Sequence, residues 1–137
     1  MNGKTSADKP RIAVVDDDSS MRQSIVRLLR ATGFLPVSFA SGESFLQAQA
    51  TKQSACVVVD LTMPGLSGFE VRLELAKSEP GLPVILLTAH ADPALCVIAK
   101  RQGFVACLPK PVVPSDLLSA ITQALRQTRS FTSSAAP

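Results

Sequence analysis

The chain has 137 residues, 46% of them apolar, and a net charge of +3, which suits one domain with a sizeable core. Its 14 Lys and Arg are scattered, with no basic run and no Tyr or Trp to stack on bases, so direct nucleic-acid binding is not expected. No apolar run approaches a membrane span, the opening residues lack the apolar core of a signal peptide, and Cys56, Cys96 and Cys107 fit no zinc or C-x-x-C spacing, so the expectation is a cytoplasmic protein with small, reduced core cysteines.

Residues 1–10 are polar and read as a disordered lead-in to a domain over 11–127. "RIAVVD" (11–16) is a short run rich in β-branched residues, hence a buried strand. Met21, Ile25, Leu28 and Leu29 then recur at helical spacing, with Asp18 as the N-cap and Gly33 closing the helix. "LPVSFA" (35–40) reads as a strand that Pro36 places at a sheet edge. Ser41 caps a helix through about Ala50. "ACVVVD" (55–60) is another buried strand. "LTMPGLSG" (61–68) is a loop, and Ser67 with Glu70 forms a capping box for a helix that stops at Pro80. "PVILLT" (83–88) is a fourth strand. Leu95, Ile98 and Ala99 mark a helix ending near Gly103, and "FVACL" (104–108) is a fifth, weaker strand. Leu117, Leu118, Ile121, Ala124 and Leu125 mark a last helix capped by Ser115, and 128–137 reads as a flexible tail. Five strands alternating with five helices argue for an α/β fold, an open parallel sheet with helices on both faces.

In such sheets ligands bind beyond the carboxyl ends of the strands. The first strand ends at Asp16 and Asp17, the third at Asp60 and the fourth at Thr88, and the fifth runs into Lys110. One edge therefore gathers three carboxylates, a hydroxyl and an ammonium. Taken singly, each has an ordinary reading as a cap, an Asx turn or a solvated loop residue. Together they need a cation, because three carboxylates do not stay ionised side by side. Oxygen donors without His or Cys suit a hard metal, Mg²⁺ or Mn²⁺. A carboxylate beside such an ion can attack a phosphoryl group and form an aspartyl phosphate. Lys110 supplies a point charge for phosphoryl oxygens, and Thr88 a hydroxyl.

The pieces "VVDDD", "VVVDLTMPGLSG", "VILLTAH" and "LPKP", in this order and spacing, resemble the receiver domain of bacterial two-component response regulators over residues 11 to 127. The resemblance implies a flavodoxin-like fold, strand order 2-1-3-4-5, and a phosphorylation-dependent signalling switch in a phosphorelay. It implies Asp60 as phosphoacceptor, Asp17 as a direct Mg²⁺ ligand, Asp16 as its acidic partner, and the Thr62 carbonyl as the remaining protein ligand. Lys110 then contacts the phosphoryl group, Ala89 offers a backbone N–H to it, and Thr88 is the switch hydroxyl. Pro111 matches a proline whose preceding bond is often cis. The implied donor is a sensor histidine kinase or a phosphotransfer protein. The chain would catalyse its own phosphorylation and autodephosphorylation and nothing further. A homodimer through helix four, strand five and helix five is implied, and a helix-turn-helix output domain if the chain is a fragment of a transcription factor.

Two positions depart from that pattern. Cys107 stands where the family usually has the switch Tyr or Phe, and Val112 where a large aromatic is common. His90 reads equally as a tuner of dephosphorylation and as plain surface. Two rivals remain at this point. "DDDSS" also fits the D-x-D-x-[ST] opening of haloacid-dehalogenase phosphatases, with Asp16 as nucleophile, Asp18 as acid and only Asp116 to follow the lysine. The other rival is a receiver-like interaction module that is never phosphorylated.

Overall fold

The computed structural model describes residues 9–49, 54–90 and 92–135, with side chains through 127. Most of the lead-in expected to be disordered, residues 1–8, lies outside the described residues. The elements are β1 (Arg11–Val15), α1 (Ser19–Ala31), β2 (Leu35–Phe39), α2 (Gly42–Gln49), β3 (Cys56–Asp60), α3 (Gly68–Ser78), β4 (Val84–Thr88), α4 (Pro93–Arg101), β5 (Ala106–Pro109) and α5 (Pro114–Ala135). The sheet is parallel throughout, in the order β2-β1-β3-β4-β5, the order that the receiver resemblance implies.

The central strands are apolar on both faces because helices cover both. β3 and β4 are buried along their whole length. Strand alternation divides the core in two. Ala13, Val15, Val57, Val59, Val84 and Leu86 pack with Phe45, Val71, Leu75 and Ala99 of α2, α3 and α4. Ile12, Val14, Val58, Ile85 and Leu87 pack with Ile25, Leu29, Leu117 and Ile121 of α1 and α5. Each fully buried aliphatic side chain contributes about 1.5–3 kcal/mol.

Local chemistry sets the helix starts. Asp18 accepts the Met21 N–H at 3.2 Å, the Ser67–Glu70 capping box is formed, and Asp92 caps α4 ahead of Pro93. α1 ends on Thr32, followed by Gly33 at φ +95°, a conformation glycine adopts without steric cost.

Two readings need correction. α5 begins at Pro114, so Ser115 lies inside the helix and is not its cap; proline suits the first helical position because its missing N–H would have no partner there. β5 spans Ala106–Pro109 and not 104–108. Phe104 is buried instead against Phe69 of α3, with ring centroids 5.7 Å apart. The helix marked by Leu95, Ile98 and Ala99 is present as α4, where Ile98 is 47% exposed and Ala99 alone is fully buried. Helical backbone continues through residue 135, into the stretch 128–137 that reads as a tail; no Gly or Pro interrupts it there.

The outer strands each carry a proline, Pro36 in β2 and Pro109 in β5. No helix among the described residues is long and apolar enough to cross a membrane.

Candidate functional site

β1 delivers Asp16 one residue beyond its last ladder position, and Asp16 is 1% exposed. Its position is fixed from three sides. Its N–H donates to the Phe39 carbonyl at 3.1 Å. Its carbonyl accepts Arg22 Nη1 at 2.7 Å. Its Oδ1 accepts the Asp18 N–H at 3.0 Å, an Asx turn that leads into α1. Asp17, between them, is exposed.

Asp60 closes β3 and is 6% exposed. Behind it, α3 starts so close that a Cβ on Gly68 would stand 2.8 Å from the Asp60 carbonyl oxygen. Only glycine fits there without moving the strand end. One oxygen from each of Asp16, Asp17 and Asp60 lies within 4.8 Å of the others.

Lys110 follows β5 and reaches across this trio. Its Nζ lies 3.1 Å from Asp16 Oδ2 and 3.1 Å from Asp60 Oδ1, with the side chain 17% exposed. Its backbone N–H donates to the Thr88 carbonyl at 2.9 Å, which seats the lysine beside β4. The Lys110–Pro111 bond is cis.

The electrostatics follow from this packing. Burial pushes the Asp60 carboxyl above the usual aspartate range; the Lys110 hydrogen bond opposes this, and the charges of Asp16 and Asp17 reinforce it. Burial would lower the Lys110 ammonium, but its contacts with Asp16 and Asp60 outweigh that and hold it above its usual value. One lysine does not satisfy three carboxylates. Asp16 Oδ2 is buried and has the Lys110 ammonium as its ion-pair partner. Three carboxylates converging within 4.8 Å on a single ammonium, in a set of oxygen donors only, fit a hard divalent cation.

Thr88, at the end of β4, is 3% exposed, and its Oγ1 accepts the His90 N–H at 3.1 Å. Ala89 and His90 are exposed on the loop beyond, and Thr62 is exposed two residues after Asp60. Cys107 sits opposite Leu86 in the β4–β5 ladder, half-buried, and packs against the core under α2, α3 and α4. Val112 packs against the other core. Asp18 is occupied with capping α1 and is not in the carboxylate trio. Asp116 lies in the first turn of α5.

Two supporting residues are not evident from the sequence. Arg22 reads there as one of several surface cations, yet it grips the Asp16 carbonyl; its place one turn into α1 is the only signal. Glu43 of α2 accepts the Leu66 N–H at 3.3 Å and steadies the loop after β3.

The sequence profile of the response regulator receiver domain matches residues 12–122. The chain belongs to this family. Among curated relatives, it is similar to Nodulation protein W of Bradyrhizobium diazoefficiens, 38% identical over 93% of this chain and 56% of the relative. It is also similar to the transcriptional regulatory protein FixJ of the same species, 37% identical over 87% of this chain and 58% of the relative. The receiver domain thus spans little more than half the length of these two proteins. Among solved structures it resembles a response regulator receiver domain protein from Clostridium thermocellum. The TM-score is 0.83 at 31% identity, covering 89% of this chain and 98% of that one.

Proposed function

We propose that this receiver domain accepts a phosphoryl group on Asp60 from a phosphohistidine, in a reaction that requires Mg²⁺ or Mn²⁺, and so acts as a signalling switch. The observation that carries the reading is Lys110 Nζ, held 3.1 Å from both Asp16 and Asp60 at the edge where three carboxylates meet. That arrangement provides a nucleophile, a cation for the transferred oxygens and a set of metal donors within a few ångströms.

Asp17 and Asp60, with the Thr62 carbonyl, would hold the ion, and Asp16 would act beside them. When bound, the metal neutralises charge on the phosphoryl oxygens and the carboxylates. An Asp60 oxygen attacks phosphorus in line, the P–N bond to the donor imidazole breaks, and the imidazole leaves with a proton from solvent. Lys110 moves with the new charge, from pairing a carboxylate to pairing a phosphoryl oxygen. The Ala89 N–H is a further donor. The Thr88 hydroxyl, which accepts from His90 in this structure, can donate to the phosphoryl group by rotating toward it.

The partner is a sensor histidine kinase or a phosphotransfer protein. The relatives named above are about twice as long as the match, which supports an output domain, of helix-turn-helix type, as the downstream partner in a longer protein. The homodimer reading is supported by Val97, Ile98 and Val105, which are 50%, 47% and 40% exposed on α4 and just before β5. No catalysis beyond self-phosphorylation and self-dephosphorylation is proposed.

The test is labelling with acetyl phosphate, followed by borohydride trapping and peptide mapping. Label on Asp60 alone, abolished by EDTA, is expected. Label on Asp16 would instead indicate the phosphatase chemistry that "DDDSS" also allows.

A further inference from the structure

The three thiols do not share one environment. Cys56 is 0% exposed inside β3, with its thiol pushed up to about 12 by burial. Cys96 and Cys107 are half-buried and meet each other across the α4–β5 contact. Cys96 Sγ lies 4.0 Å from the Cys107 carbonyl oxygen, which brings the two residues side by side. Cys96 sits in the first half of α4, whose cap Asp92 is exposed, and Cys107 lies in an outermost strand of the sheet. Unlike Cys56, both keep partial solvent exposure, so a small oxidant can reach the pair from solvent.

We propose that Cys96 and Cys107 are a redox site, closing a reversible disulfide that ties α4 to β5 when the chain meets a peroxide. Cys96 acts first. Its sulfur attacks one peroxide oxygen, an S–O bond forms as the O–O bond breaks, and the thiol proton leaves with the departing oxygen as water or alcohol. The product is a sulfenic acid at Cys96. Cys107 sulfur then attacks Cys96 sulfur, the S–O bond breaks, and the displaced hydroxide takes the Cys107 proton as water. Two thiols lose two electrons and one peroxide gains them. The order follows from the neighbours. The Cys107 thiol is pushed up to about 12 by burial, by Cys96 and by Asp92, against a smaller opposing effect of Lys100. It is therefore assigned the second, resolving step.

The bridge would brace β5 three residues before Lys110 and hold α4 four residues after its Asp92 cap. Val97 and Ile98, next along α4, are exposed. Its formation does not depend on phosphorylation, so the inference and the proposed function fail separately.

The experiment treats the reduced chain with hydrogen peroxide, quenches it with catalase, and counts thiols after denaturation. The count should fall from three to one, with the mass reduced by two hydrogens and the chain still monomeric. Trypsin should release peptides 78–100 and 102–126 joined to each other, and dithiothreitol should restore all three thiols. Cys96→Ser and Cys107→Ser should each abolish the joined peptide; circular dichroism confirms that both variants are folded. Three surviving thiols, a cross-link to Cys56, or a disulfide between two chains would overturn the inference.

Discussion

Asp60→Asn should make the metal-free protein more stable at neutral pH, although it removes the proposed phosphoacceptor. The 3.1 Å contact with Lys110 is worth about 5 kcal/mol of attraction at an effective dielectric near 20. Asp16, whose carboxylate oxygen lies within 4.8 Å, returns about 3.5 kcal/mol of repulsion on the same scale. Burying the charge costs roughly a further 3 kcal/mol, and exposed Asp17 adds a smaller, solvent-screened repulsion. The balance is a penalty of about 1.5 kcal/mol for the ionised group, in the same direction as the raised pKa of Asp60. A neutral amide keeps an oxygen for Lys110 and removes the repulsion. The pH dependence has a definite sign. With its folded-state pKa raised, Asp60 contributes stability that is full below the unfolded value, about 3.9, and is lost as pH rises through the folded value. Wild type should therefore lose stability across that window while Asp60→Asn does not, so the gap between them opens as pH rises. Urea unfolding in EDTA, followed by far-UV circular dichroism because the chain has no Trp or Tyr, measures it. Mg²⁺ at 100 times its Kd should then add about 2.7 kcal/mol to wild type and much less to the variant. A variant that is less stable than wild type at pH 7 without metal, or a gap independent of pH, would refute the reasoning.

Asp17→Asn should weaken Mg²⁺ binding at least tenfold by calorimetry, while Asp18→Asn, at a cap position where Asn serves nearly as well, should leave it unchanged. Gly68→Ala should destabilise the fold by about 1–3 kcal/mol in urea unfolding and slow Asp60 labelling, because its methyl would press on the Asp60 carbonyl. Cys107→Tyr should alter the amide NMR shifts that a beryllofluoride phosphate mimic induces through 104–108 and α5, because the thiol is too small to fill the space a moving Thr88 vacates. Identical shift patterns in the two proteins would show that an aromatic is dispensable there.

The carboxylate edge was legible because Asp16, Asp60 and Thr88 each close a run of β-branched or aliphatic residues, Lys110 comes just after the fifth such run, and parallel strands end on the same side. These four residues are thus placed at one edge of the sheet by strand direction. Periodicity served less well where a residue is buried by something other than its own element. Phe104 is apolar like a strand residue, yet it packs on Phe69 from a turn. Ile98 keeps helical spacing with Leu95 but lies on a solvent face of a short helix. Ser115 looks like a cap only if Pro114 is taken as loop, although proline opens helices well. The closeness of Cys96 and Cys107 depends on how α4 lies on β5, and their spacing of eleven residues carries no such information. Arg22 was hidden for the same reason, since its partner is a main-chain oxygen.

The two prolines of the outer strands have a consequence for how the molecule can associate. The Leu35 amide points inward to the Pro10 carbonyl, and the Lys110 amide to the Thr88 carbonyl. Successive amides alternate along a strand, so the nitrogens of Pro36 and Pro109 face away from the sheet. At both margins a donor that would have recruited a sixth strand is missing. The ladder cannot be extended evenly from either side, and a natural template for fibre growth is blunted. Assembly must then use side chains, on helices and loops, where a charge or a bridge can release it; main-chain pairing between sheets would offer no such release.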